Sequence, residues 1–164
     1  MTVTPSPSER TARGRPVTKG PRRITVDIGE LGWAREDYDP DHLYYLDLDT
    51  GEVLPERGGE EMGGPDVQVP IEPGPRYLAV PSPEPGEGYQ DMMDFIGTVS
   101  DAMLKAMLSV AIQGAGAFRR FKDVLLEFPK ERERWFAFKD TRTRERLEAW
   151  LAGECVEVDW TGIP

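Results

Sequence analysis

Proline sets the first limit on what this chain can fold into. Pro65, Pro70, Pro73, Pro75, Pro81, Pro83 and Pro85 fall within 21 residues, whereas only Pro129 lies between Gly86 and Ile163. Each proline removes a backbone donor and breaks a helix. Residues 55–85 are therefore expected to be mostly loop and extended chain, and the chain beyond Gly86 is free to be helical. The layout predicted is α+β. A small antiparallel sheet in the N-terminal half would pack against a C-terminal bundle of about four or five helices. At 164 residues the chain suits one domain plus tails. We expect that domain over residues 24–160, between a disordered basic tail at 1–23 and a short tail at 161–164. An acidic Gly/Pro-rich loop is expected at 55–75.

Charge follows the same division. The net charge of −10 hides three blocks. Residues 1–23 hold six basic residues against Glu9, with four prolines and almost no large apolar side chain. Such a segment cannot bury enough surface to offset its ordering entropy. Residues 24–101 hold 3 basic and 19 acidic residues, and residues 102–164 are nearly balanced. The longest charge-free run in the apolar centre, Ala106–Phe118, has 13 residues and is too short to span a bilayer. The N-terminus has no apolar signal-like stretch. One Cys and one His exclude a disulfide scaffold and a Cys/His zinc cluster within one chain. A cytoplasmic setting is expected, with no cofactor and no metal.

Local patterns place the elements. Ile24-Thr25-Val26 reads as a strand, with Asp27 and Glu30 as a capping box for a short helix. In Leu43–Leu48, Tyr44, Leu46 and Leu48 share one face while Tyr45, Asp47 and Asp49 share the other. Asp49–Glu52 reads as a hairpin turn with Gly51 at positive φ, returning through Val53-Leu54. Arg76–Val80 is a further strand. From Tyr89 the period becomes helical, with Met92, Ile96, Val99, Met103, Met107 and Val110 as one stripe. Gly97 and Ser100-Asp101 are expected to split this into two helices, with Ser100 capping the second. Gly114-Ala115-Gly116 ends the run. Phe118, Phe121, Leu125 and Phe128 mark a third helix, ended by Pro129. Trp135, Phe136 and Phe138 form an aromatic cluster in the next segment. Leu147, Trp150 and Leu151 face inward from a last helix, and Val156, Val158 and Trp160 suggest a closing edge strand.

Three motifs invite chemistry. Leu46–Gly51 is similar to the paired-aspartate motif of haloacid-dehalogenase-like phosphatases, but the chain turns straight back at Pro55 where a helical crossover is needed. It also contains the Asp-Thr-Gly of aspartic proteases, yet Glu52 stands where a small residue is required. As a calcium loop it lacks its third ligand and a closing glutamate. The hairpin is the simpler reading. Cys155 lies between Glu154 and Glu157, which disfavour a thiolate, and nothing pairs it with His42. Gly114 and Gly116 precede Arg119, Arg120 and Lys122, so a helix N-terminus with added cations is a candidate anion or partner contact. The competing reading is a tight turn before an amphipathic helix. Residues 102–146 hold 11 basic and 6 acidic residues, and Glu131, Glu133 and Glu145 can neutralise several of those cations within the helices.

Taken in order, several segments resemble a known bacterial family. They are Tyr45–Val53, Arg76–Pro81, Met92–Val99, Gly114–Leu125, Arg134–Phe138 and Glu148–Leu151. Together they are similar to uncharacterised protein family 0158 over about residues 24–155. The resemblance implies a small cytoplasmic bacterial protein and no particular activity.

No constellation meets the geometry of a catalytic site, so no catalytic residue is assigned. The reading favoured is a non-catalytic binding or regulatory module for a protein partner, contacting it through Gly114, Gly116, Arg119, Arg120 and Lys122. One alternative is nucleic-acid association through the tail and the 119–146 basic face. Another is a hydrolase using Asp47 and Asp49.

Overall fold

A computed structural model describes residues 20–39, 41–56 and 74–163. The elements are β1 (Arg22–Asp27), α1 (Ile28–Glu36), β2 (Tyr44–Asp47), β3 (Val53–Pro55), β4 (Tyr77–Ala79), α2 (Glu87–Thr98), α3 (Ala102–Ala111), α4 (Ala117–Leu126), α5 (Pro129–Gly153) and β5 (Val156–Thr161). Strands β3-β2-β4 form the antiparallel sheet, and β1 pairs with β5 in a separate parallel ribbon. The architecture is α+β. Most of the tail at 1–23 and of the loop at 55–75 lies outside the described residues.

The turns carry the local signals that the sequence suggested. Asp27 Oδ1 accepts hydrogen bonds from the backbone N–H of Gly29 (2.8 Å) and Glu30 (3.0 Å), which starts α1. Gly51 closes the β2–β3 hairpin at φ +78°, with its N–H donating to Asp47 O. A Cβ there would sit 1.9 Å from the carbonyl oxygen of Thr25. Glycine is thus required twice, by the backbone conformation and by the approach of β1.

Five expectations change. Asp101, not Ser100, caps α3, accepting from Leu104 N at 2.9 Å. The stripe does not continue across that break. Met92, Ile96 and Val99 are buried, but Met103, Met107 and Val110 are exposed and Leu104, Leu108 and Ala111 face inward instead. Residues 99–101 are not helical, so they reset the phase by which faces are counted. Pro129 does not end α4, which stops at Leu126; it opens α5, where its missing N–H is no loss. The aromatic cluster and the last apolar turn belong to one 25-residue helix. β1 also starts at Arg22, so Arg22 and Arg23 are strand residues: the first pairs with Asp49, the second with Asp159 at 2.7 Å.

α5 joins two hydrophobic clusters. Its Trp135 packs with Met92, Phe95, Leu108, Phe121 and Leu125 of the helical layer. Phe95, Phe121 and Trp135 meet edge to face, with centroids 4.8–6.1 Å apart. Its Leu147 and Leu151 pack with Val26, Leu31, Leu46 and Val156 of the strand layer. Residues 135 and 147 lie about 18 Å apart along the helix. Between them, residues 139–146 are all polar, and they place the site described below.

Two glycines test this packing. Gly51→Ala is expected to cost about 3 kcal/mol in denaturant unfolding, because strain and a backbone clash coincide. Gly97→Ala, in α2 with nothing within 4 Å of the added methyl, is expected to stabilise by about 0.5–1 kcal/mol.

Candidate functional site

The polar middle of α5 meets the end of α1 and the start of α2. Arg35 of α1 is buried, with only 8% of its side chain exposed. Its guanidinium donates two bonds, both 2.8 Å, to Glu87 in the first turn of α2. One turn on, Asp91 is buried at 4% exposure. It accepts two bonds from Arg146 of α5, at 2.9 and 2.6 Å. Arg146 also lies 3.4 Å from Glu87. Arg142 bonds Asp94 and stacks over Phe138. Lys139 Nζ and Thr143 Oγ1 donate to the two carboxylate oxygens of Glu36, at 2.9 and 3.0 Å. Planar guanidinium forks facing carboxylates fix both distance and orientation.

Between these elements lies a cleft of about 780 Å³. Arg35, Glu87, Asp91 and Arg146 are among its lining residues, with Trp135 beside them. Tyr38, Tyr89, Phe118 and Phe136 also line it and are exposed. Phe118 lies so close over Gly88 that a Cβ there would meet the ring at 3.0 Å. Three charged lining groups, Glu84, Lys122 and Asp140, have no ion-pair partner among the described residues. Burial, reinforced by the nearby Glu36 carboxylate, pushes the Asp140 carboxyl above its ordinary range. Arg35 and then its other partners hold Glu87 below that range.

The residues singled out from sequence separate into different roles. Gly114 and Gly116 adopt positive φ and turn the chain from α3 to α4. Arg120 donates to three carbonyls of this turn, Ala111 (3.0 Å), Gln113 and Ala115. It therefore caps the end of α3. Arg119 is exposed beside Asp123. Lys122 alone of the five lines the cleft. The cleft as a whole is not visible in any motif, because α1, the 83–86 loop, α2, α4 and α5 each contribute a few residues. The one usable signal was Phe118 with Lys122 one helical turn on.

The aspartate pair is tied down by arginine. Arg76 donates to both oxygens of Asp47, at 2.9 and 2.6 Å, and lies 3.3 Å from Asp49. Asp47 is buried and also accepts from the Asp49 N–H. Arg76 above all holds the Asp47 carboxyl down, at about 2. His42 pairs with Asp37, and Cys155 occupies the left-handed position that ends α5. Among the described residues no cluster of three metal-ligating side chains occurs, and no helix is long and apolar enough to cross a membrane.

Fold and site together define an α+β protein whose two hydrophobic layers are bridged by one long helix, with a charged cleft at the bridge. The chain belongs to the Uncharacterised protein family (UPF0158), whose pattern matches residues 24–159. A relative in that family, from Pseudomonas aeruginosa, is 32% identical over 131 residues, covering 79% of this chain and 83% of its own. No solved structure matches the chain.

Two measurements follow. Asp91→Ala leaves Arg146 partly unpaired in a desolvated site and is expected to cost about 3 kcal/mol in equilibrium unfolding. Exchanging Asp91 and Arg146 together for apolar residues should recover part of that loss. Because the folded-state value of Asp47 is depressed, its stabilising contribution is present above its ordinary 3.8 and disappears as pH falls toward about 2. Asp47→Asn should therefore flatten the stability profile across that interval.

Proposed function

We propose that this protein is a non-catalytic binding module of the bacterial cytoplasm whose cleft receives a segment of a protein partner. The observation that carries the reading is the division of labour inside the cleft. The deep charges neutralise one another, as Arg35 with Glu87 and Arg146 with Asp91. Exposed aromatics flank them. Paired charges are held in place and are poor acids, bases or nucleophiles. Exposed aromatic rings beside a concave, preformed site supply contact area at low entropic cost. Lys122, one helical turn from Phe118, is an uncommitted cation, so the segment proposed carries a carboxylate next to its apolar anchor, while Glu84 and Asp140, which also lack ion-pair partners among the described residues, disfavour a polyanionic one.

The other readings draw less support. A nucleic-acid face between 119 and 146 would use cations that are engaged elsewhere: Arg120 in its turn, Arg134 with Glu131, Arg142 with Asp94, Arg144 with Glu148. A hydrolase using Asp47 would first have to free that carboxylate from Arg76.

Site-specific photocrosslinking in cells checks the proposal. A photoreactive residue replacing Phe118 should yield one discrete protein adduct, which Lys122→Glu abolishes. The same probe at the exposed Glu133 should yield none. Equal labelling from both positions, or no adduct from position 118, counts against the cleft as a partner site.

A further inference from the structure

We propose that a second groove, between α1 and the β2–β3 hairpin, binds a proline-rich segment of a partner protein that is flanked by arginines and held in the polyproline II conformation. The groove has a volume of about 500 Å³ and is lined by Gly29, Glu30, Trp33, Tyr44, Val53 and Pro55. None of these residues lines the cleft, so the inference stands apart from the reading above.

Trp33 is the starting point. A tryptophan with 67% of its surface exposed is an unusual use of the largest apolar side chain. It is not loose. Its ring meets that of Tyr44 edge to face, with centroids 5.6 Å apart and planes at 75°. Tyr44 is itself anchored, since its hydroxyl donates to Asp37 at 2.7 Å. Rigid, perpendicular aromatic walls with Val53 and Pro55 beside them suit the flat rings of prolines.

Two polar features narrow the occupant. The Trp33 indole N–H has no acceptor among the described residues, whereas that of Trp160 is bonded to Glu148. An indole is a donor only, and this exposed one is free to donate to a carbonyl of an occupant. Polyproline II chains have no internal hydrogen bonds and present free carbonyls along their length. Glu30 is the one charged residue among the six, is exposed, and forms no ion pair among the described residues. The stretch of sequence that supplies all six lining residues is strongly acidic. Residues 24–101 carry 19 acidic side chains against three basic ones, and two of those three, Arg35 and Arg76, are committed to Glu87 and Asp47. An arginine at the end of the proline run fits this charge; an acidic peptide or a polyanion does not.

The test is a titration of the full chain with a fluorescein-labelled peptide, a run of prolines with arginine at each end, followed by anisotropy. Saturable binding is expected. Trp33→Ala should weaken it about tenfold or more. Trp33→Phe, which keeps a ring and removes the donor, should weaken it by a smaller factor. Glu30→Lys should weaken the arginine-flanked peptide and leave an alanine-flanked one unchanged. Phe118→Ala should have no effect, which separates this groove from the cleft. Failure to saturate, equal affinity in Trp33→Ala that circular dichroism shows to be folded, or equal affinity for a glutamate-flanked peptide would overturn the proposal.

Discussion

Arg146 and Asp91 hold the two hydrophobic layers of this molecule in register. α5 must run from one layer to the other, and the turns that cross the gap have no apolar partner. They carry Arg142, Thr143 and Arg146 instead, matched by Glu36 of α1 and by Glu87, Asp91 and Asp94 of α2. Apolar contacts are non-directional and tolerate sliding. Two-pronged guanidinium–carboxylate pairs do not. Desolvating these charges offsets much of their attraction, so their value lies less in net stability than in fixing how the layers meet.

The cleft follows from that junction. Where helices are separated by long paired side chains, they do not close on one another as Phe95, Phe121 and Trp135 do a few turns away. The opening left is edged by whatever the neighbouring surfaces present, and here that is aromatic. The same pairing consumes the chemically active groups. Glu87 and Asp91 remain as charged, committed acceptors, which leaves recognition as the role with the most support.

Much of the fold was legible from local signals. The Asp27 cap, the hairpin at Gly51 and the strand at Val156–Trp160 each depend on a few adjacent residues, and each was readable. The misreadings arose where one residue had two possible contexts. Pro129 fits equally after one helix or at the start of the next. Met103 and Met107 continue a helical count only if residues 99–101 stay helical, and they do not. The charged run around Arg142 reads as paired within its own helix until its partners on α1 and α2 are in view. Of the candidate site, only Lys122 was singled out in the sequence; Phe118 reads there as part of an apolar helix stripe, yet it stands half exposed at the cleft. The rest comes from elements as distant as residues 35 and 146.

By itself, the sequence determined the order of strands and helices, because proline, glycine and side-chain period act through neighbours. It also determined which charges were available. Only the tertiary structure decided which of them would be spent. The parallel pairing of β1 with β5, the capture of Arg120 by its own turn, of Asp47 by Arg76 and of Arg146 by Asp91 are all set by distance in space. A pair of opposite charges has no sequence spacing of its own, so what each residue is free to do became readable only once the chain had folded around it.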